Sequence, residues 1–158
     1  MKTKVIETLE KSQFPYKLHD HSKFLKKIES PLDFANQLGY DISRITKSLF
    51  VRSNARDTYA IVVCSMNLKV DFKVLAKIMG CKKVEVANLS ELQKKVGYPS
   101  KGVSPIGIIN VPTYLDSGLK DMPTILLGAG EVGFEVEITP SILQLVTKAD
   151  FYNFTKEH

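Results

Sequence analysis

Residues 45–65, with the sequence ITKSLFVRSNARDTYAIVVCS, decide the fold of this chain. Two runs rich in β-branched, aromatic and other apolar residues, Ile45–Arg52 and Thr58–Ser65, flank the polar segment Ser53–Asp57. Two such runs around a short polar turn predict a β-hairpin.

Helix caps and a second hairpin-like pair lie outside this central stretch. Ser30-Pro31 with Gly39, and Thr139-Pro140, are typical helix boundaries, and a helical repeat of apolar residues runs from Leu68 to Gly80. Pro123–Leu127 and Val132–Ile138 read as two further strands. Helices mixed irregularly with strands predict an α+β fold whose sheet is mixed or largely antiparallel.

Length and composition fit one globular domain spanning residues 1–158. The chain is 44% hydrophobic, and no window approaches 18 consecutive apolar residues, so a membrane span is not expected. The first 14 residues also lack the apolar core of a secretory signal. Cys64 and Cys81 form neither a CxxC motif nor a disulfide framework, which favours a cytoplasmic location and argues against a structural metal site.

Charge is distributed unevenly along the chain. Residues 1–105 contain 19 Lys and Arg against 10 Asp and Glu, whereas residues 106–158 contain 3 against 7. A basic first two thirds indicates an anionic partner, and nucleic acid is the candidate.

Lys47 is the first candidate for chemistry. Strand alternation places it on the same face as Ile45, Leu49 and Val51, where a buried ammonium group needs a partner. A lysine in that setting often serves a pocket. The alternative is an edge-strand lysine whose ammonium group reaches water.

The segment Gly97–Gly107 is the second candidate, with three Gly and two Pro in eleven residues. Backbone N–H groups of such a constrained loop can bind a phosphate or an oxyanion. The segment matches neither a Walker A motif nor a GxGxxG fingerprint, and an ordinary surface loop is the alternative. A short strand is expected just after it, near Ile108-Ile109.

His19-Asp20-His21 is the third candidate, because two histidines on one face of a strand could bind a metal or act as acid and base. Without a clear third ligand, pocket lining or an ordinary surface position is the better interpretation. No GxSxG motif is present, and neither cysteine has the setting of a nucleophile.

Taken in order along the chain, these motifs resemble the YbaK/EbsC family, the free-standing relatives of the editing domain of bacterial prolyl-tRNA synthetases. The resemblance covers nearly all 158 residues. The segments that carry it are Leu18–His21, Asn36–Gly39, Ile45–Leu49, Leu75–Lys77, Val96–Gly107, Leu127–Gly133 and Ile138–Pro140.

The resemblance implies a mixed, largely antiparallel β pseudo-barrel with flanking helices. It also implies hydrolysis, in trans, of the ester of a mischarged tRNA, with Cys-tRNA(Pro) preferred and Ala- or Ser-charged tRNA as alternatives. The implied partners are tRNA-Pro and prolyl-tRNA synthetase, with no cofactor and no metal. A non-catalytic tRNA- or synthetase-binding module and an unrelated small-molecule hydrolase are the rival classes.

The resemblance also implies the site residues. The family's lysine corresponds to Lys47, the implied catalytic residue, and its Gly-x-x-x-Pro element corresponds to Ser100/Lys101 through Pro105. The residues expected to bind substrate are His21, Gly97, Lys101, Gly102, Val103, Ser104, Pro105, Gly130 and Glu135.

Two departures from the family pattern bear on specificity. Lys101 stands where the family has the first Gly of a pair, and Gly128-Ala129-Gly130 stands where many members carry Ser and Gly first. Glu131 replaces the histidine of the alanine-specific branch, which favours the YbaK type.

Overall fold

The computed structural model describes residues 3–97 and 104–158. Within them lie five α-helices: α1 (Lys4–Lys11), α2 (Pro31–Leu38), α3 (Phe72–Met79), α4 (Leu89–Val96) and α5 (Pro140–Thr147). The strands are β1 (Lys17–Asp20), β2 (Thr46–Ser53), β3 (Tyr59–Ser65), β4 (Lys69–Val70), β5 (Val84–Val86), β6 (Thr113–Asp116), β7 (Ile125–Gly128), β8 (Phe134–Ile138), β9 (Asp150–Tyr152) and β10 (Thr155–Lys156). In the described ranges, no helix has both the length and the hydropathy needed to cross a membrane.

The predicted central hairpin is confirmed. Strands β2 and β3 pair antiparallel along their length, with Lys47 opposite Cys64. The turn between them is held by Ser53, whose hydroxyl oxygen accepts hydrogen bonds from the backbone N–H groups of Asp57 and Thr58, both at 3.2 Å. A polar side chain that satisfies backbone donors in this way explains why Ser and Asp flank the turn.

The hairpin lies inside a five-stranded sheet of order β5-β2-β3-β6-β9. The pairs β3–β6 and β6–β9 are parallel, so this sheet is mixed, as expected. The strand predicted near Ile108-Ile109 is wrong: that segment is not a strand, and Ile109 is 95% exposed. The nearby strand is β6 instead, where Thr113 and Leu115 face inward.

A three-stranded antiparallel sheet, β1-β8-β7, forms the second unit, and β10 pairs with β4 in a short ribbon. A single parallel bridge between Ile45 and Leu126 connects the two larger sheets. Within the described ranges, the sheets do not close into a barrel, so the expected pseudo-barrel takes the form of open sheets packed together.

Three apolar clusters hold the sheets and helices together. The largest joins α1 to the large sheet and to the β7–β8 hairpin, the second packs β2, β3 and α3 around Val62 and Leu75, and the third surrounds Phe34 of α2. Helix α3 begins at Phe72 rather than Leu68, because Asp71 caps it by accepting from Lys73 and Val74 N–H groups.

Candidate active site

A cleft of about 400 Å³ opens between α2, the turn after β1, the start of β2 and the β7–β8 turn. Its wall combines apolar side chains with a histidine–glutamate pair and a further glutamate, a composition typical of small-molecule sites. The residues that line it are His21, Ile28, Glu29, Ser30, Pro31, Phe34, Ile45, Met66, Val132, Gly133 and Glu135.

His21 and Glu135 form the titratable pair of this cleft. The ring Nε2–H of His21 donates to Glu135 Oε2 at 2.9 Å, and the two side chains are 27% and 18% exposed. The backbone N–H of His21 donates to the carbonyl of Gly133, which extends the β1–β8 pairing by one step. Burial raises the pKa of the Glu135 carboxyl, and the hydrogen bond from His21 opposes that rise.

A second pair, His19 of β1 and Glu137 of β8, lies two residues along the chain from each member of the first pair, and it is almost inaccessible. Its side chains are 6% and 9% exposed, and His19 Nε2–H donates to Glu137 Oε1 at 2.8 Å. Glu137 Oε2 accepts from the hydroxyls of Tyr40 and Thr124 at 2.8 and 2.5 Å. Burial alone would raise the pKa of Glu137, but the hydrogen bonds from Thr124, His19 and Tyr40 outweigh it, so the pKa is lowered.

Lys47 is half-buried, and its ammonium Nζ donates to the backbone carbonyl oxygen of Leu68 at 2.5 Å. Leu49 and Val51, which follow on the same face of β2, pack into the second apolar cluster together with Cys64. Burial raises the pKa of the Cys64 thiol to about 11, and the nearby Lys47 charge opposes that rise. A thiol with that pKa stays protonated at neutral pH, so Cys64 is a packing residue and not a nucleophile.

Lys47 is not one of the residues that line the cleft, but it adjoins them. Ile45, the residue directly before β2, precedes Lys47 by two residues, and Met66 precedes Leu68 by two residues; both line the cleft. The backbone N–H of Met66 donates to the carbonyl of Ile45 at 2.8 Å, which holds these two walls together. Lys47 therefore lies two residues along the chain from one wall of the cleft, and its ammonium group is bonded to the segment that follows Met66.

The other expected site residues occupy different settings. Gly97 ends α4 in a left-handed conformation and is exposed, whereas Ser104 and Pro105 are buried. Gly130 faces α1: its φ is +89°, and a Cβ atom there would lie 3.2 Å from Thr3 Cβ. Lys101, Gly102 and Val103 lie outside the described residues.

Sequence reasoning missed Phe34 and Met66 as cleft walls and missed the Glu137 network. One signal was available, because the two-residue spacing of His19 and His21 equals that of Glu135 and Glu137. The antiparallel register sets His19 opposite Glu135, and each histidine bonds diagonally to the glutamate two residues beyond its directly opposed position. In residues 3–97 and 104–158, His, Cys, Asp and Glu form no group of three or more that could hold a metal ion.

Comparison with known proteins gives first the fold and then the family. A solved structure provisionally assigned as a trans-editing enzyme for prolyl tRNA synthetase superposes with a TM-score of 0.82 over 97% of this chain and 95% of that one, at 21% identity. The fold is therefore that of an editing domain. A family model described as the aminoacyl-tRNA editing domain matches residues 26–145, and the chain belongs to that family.

Two relatives align over nearly the whole chain. EbsC of Enterococcus faecalis, provisionally named a Cys-tRNA(Pro)/Cys-tRNA(Cys) deacylase, is 32% identical over 98% of this chain and 93% of its own. The prolyl-tRNA editing protein ProX of Acetoanaerobium sticklandii is 26% identical over 97% of this chain and 94% of its own. The expectation of an aminoacyl-tRNA editing hydrolase is thereby confirmed.

Proposed function

We propose that this protein is a trans-acting deacylase that hydrolyses the ester of mischarged tRNA, with Cys-tRNA(Pro) as the preferred substrate. The observation that carries the proposal is the half-buried Lys47, two residues along the chain from a wall of the small cleft that contains the His21–Glu135 pair. The name of EbsC, which aligns over almost its full length, supports the choice of cysteine.

The chemistry requires positioning more than a strong base, because an aminoacyl ester is already activated. The ammonium of Lys47 is a compact cation suited to the ester carbonyl or the phosphate of the terminal adenosine. Lys101, Gly102 and Val103 would supply backbone N–H groups to the developing oxyanion, together with Ser104. Gly97 and Pro105, which flank them in the sequence, would complete this part of the substrate site.

The cleft would hold the amino acid. Its volume of about 400 Å³ suits a small side chain, and Phe34, Ile45 and Met66 give it an apolar wall against which a thiol packs well. Glu135, in its ionised form, would accept hydrogen bonds from the α-ammonium group of the substrate, and His21 fixes its position. Gly130 would act indirectly, by keeping the β7–β8 turn against α1.

Two attacking groups are consistent with this site. A water molecule oriented by a ribose hydroxyl can attack the carbonyl carbon. The thiol of a cysteinyl substrate can attack the same carbon: a new S–C bond closes a cyclic thioester, the C–O ester bond breaks, and the thiol proton ends on the released ribose hydroxyl. Water then opens the cyclic thioester to give free cysteine. The second route needs no protein nucleophile.

A separate editing step is useful because small amino acids are poorly excluded by binding alone. The biological partners we propose are tRNA-Pro and prolyl-tRNA synthetase, which would deliver the misacylated product. Encounter with that synthetase requires a cytoplasmic location. No cofactor is needed for either route.

The Lys47→Ala variant tests this proposal. We expect release of cysteine from Cys-tRNA(Pro) to fall at least about a hundredfold, the scale for loss of a group that stabilises developing charge. Circular dichroism and thermal melting establish that the variant is folded. Lys82→Ala is the matched control, since Lys82 is exposed and precedes β5, which pairs with the opposite end of β2. Full activity in a folded Lys47→Ala variant would refute the role of Lys47.

A further inference from the structure

The ribbon formed by β4 and β10 contains a pair of lysines directly opposite each other. In its antiparallel register, Thr155 faces Val70 and Lys156 faces Lys69. Both lysines are exposed. Directly opposed residues in such a ribbon have Cα atoms roughly 5 Å apart, so the two ammonium groups share one small region of surface.

Like charges in directly opposed positions destabilise a pair of strands. Carboxylates within the described ranges do not compensate here, because their ion pairs involve His19, His21, Arg44 and Arg52 rather than either lysine. Asp71, next along the chain, uses its carboxylate to cap α3. An arrangement that costs stability and forms no ion pair with the carboxylates of residues 3–97 and 104–158 indicates an anion from outside the chain.

The rest of the molecule holds this ribbon firmly in place. Phe154, the residue before β10, is 1% exposed, and its carbonyl accepts from the Asp71 N–H at 2.7 Å. The buried carboxylate of Asp116 accepts from the Phe154 N–H at 3.2 Å and from the Thr155 hydroxyl at 2.9 Å. The paired lysines are therefore presented from an anchored backbone and not from a loose terminus.

The ribbon also adjoins Lys47. The carbonyl that accepts the hydrogen bond from Lys47 Nζ belongs to Leu68, and the same peptide group provides the backbone nitrogen of Lys69. Three ammonium groups thus surround the segment Leu68-Lys69, one directed toward the backbone and two toward solvent.

We infer that Lys69 and Lys156 form a phosphate clamp that binds the RNA backbone close to its aminoacylated end. This inference rests on the proposed function, which places that end at Lys47. A cation pair of fixed spacing next to the site would hold the phosphodiesters while the ester enters the cleft. Phosphate contacts of this kind fix the position of a nucleic acid rather than read its sequence.

The test is the double variant Lys69→Gln/Lys156→Gln, compared with Lys82→Gln/Lys83→Gln. The control removes the same charge from two exposed lysines near the opposite end of β2, where the Lys83 carbonyl accepts from Asn54. The readout is the dissociation constant for uncharged tRNA-Pro, measured by fluorescence anisotropy over a series of salt concentrations.

Each phosphate contact contributes about 0.7–0.9 to the slope of log affinity against log salt. We expect the clamp variant to lower the magnitude of that slope by about 1.5, whereas the control lowers it by less than half as much. The affinity difference from wild type should narrow as salt rises. A wild-type slope in the clamp variant, or an equal loss in the control, would overturn the inference.

Two further readouts separate this inference from its alternatives. The clamp variant should melt at the same or a higher temperature than wild type, because it removes an unfavourable charge pair; a clearly lower melting temperature would point to a structural role instead and count against the clamp. If the wild-type protein hydrolyses no mischarged tRNA while the slopes differ as expected, the proposed function fails and RNA binding by the clamp stands.

Discussion

The two histidine–glutamate pairs that join β1, and the turn directly after it, to β8 use the same residue types two residues apart, yet their environments differ. Glu137 receives hydrogen bonds from His19, Tyr40 and Thr124, and its pKa is lowered. Among the described residues, Glu135 receives a side-chain hydrogen bond from His21, and burial raises its pKa. Burial and hydrogen-bond donors act in opposite directions on each carboxyl group, and their balance decides which form is favoured.

This difference assigns the two pairs different tasks. The Glu137 network joins β8 to the residues around Tyr40 and Thr124, and Arg44 stacks 3.6 Å over the Tyr40 ring. The hydrogen-bonding groups of the Glu137 network are therefore used by contacts within the fold. Glu135 has spare acceptor capacity and faces the cleft, which is the state expected of a residue that meets a ligand.

The largest expected effect on stability is that of Glu137→Ala. Removing one member of a buried pair leaves the other without its partner, so we expect the free energy of unfolding to fall by about 3 kcal/mol. Urea denaturation measures the change. A loss of less than about 1 kcal/mol in the free energy of unfolding would show that the His19–Glu137 pair does not have the structural role.

Glu135→Gln should reduce activity more than stability. We expect kcat/KM for Cys-tRNA(Pro) to fall about tenfold, the scale of one charged hydrogen bond, with unfolding changed by less than about 1 kcal/mol. Glu137→Gln is the matched control, and we expect it to lower the free energy of unfolding more than it lowers kcat/KM. If Glu135→Gln keeps wild-type kinetics, Glu135 does not contact the substrate.

Tyr40→Phe removes one donor from Glu137 and keeps the ring under Arg44. We expect a loss of about 1 kcal/mol in the free energy of unfolding, since two other donors to the carboxylate remain. The same urea titration applies. A loss as large as that of Glu137→Ala would mean that this single bond carries the network.

The two pairs should also give opposite pH dependence of stability. Glu137 has a folded pKa below 4.5, so its stabilising effect is present above that pH and is lost as pH falls through the folded pKa. Glu135 has a folded pKa above 4.5, so its contribution to stability is present below pH 4.5 and is lost as pH rises through the folded pKa. Urea midpoints measured between about pH 3 and pH 7 give the dependence of stability on pH. Glu137→Gln should reduce the loss of stability at the acidic end of this range, and Glu135→Gln should reduce the loss of stability at higher pH. The same effect from both variants would contradict the assignment.

Much of the fold could be predicted from local patterns. The hairpin at 45–65 follows from dense β-branched residues around a polar turn, and α2 and α5 follow from Ser30-Pro31 and Thr139-Pro140. The short strands β6, β9 and β10 could not be predicted, because two to four residues carry little periodicity and their pairing depends on distant strands.

The candidate site was predictable in its residues but not in their arrangement. Lys47 stood out because alternation placed a charge among apolar neighbours, whereas its carbonyl partner Leu68 depends on the turn after β3. His21 and Glu135 were both identified, but only the β1–β8 register brings them together across 114 residues. Gly130 looked like a ligand contact, although its backbone conformation is used against α1.

The most direct test of the central claim is to incubate the wild-type protein with tRNA-Pro charged with cysteine, alanine, serine or proline and follow amino acid release. Our account predicts the fastest release from Cys-tRNA(Pro), slower release from the other two mischarged forms, and none above background from Pro-tRNA(Pro). Hydrolysis of simple esters with no release from any charged tRNA would contradict it.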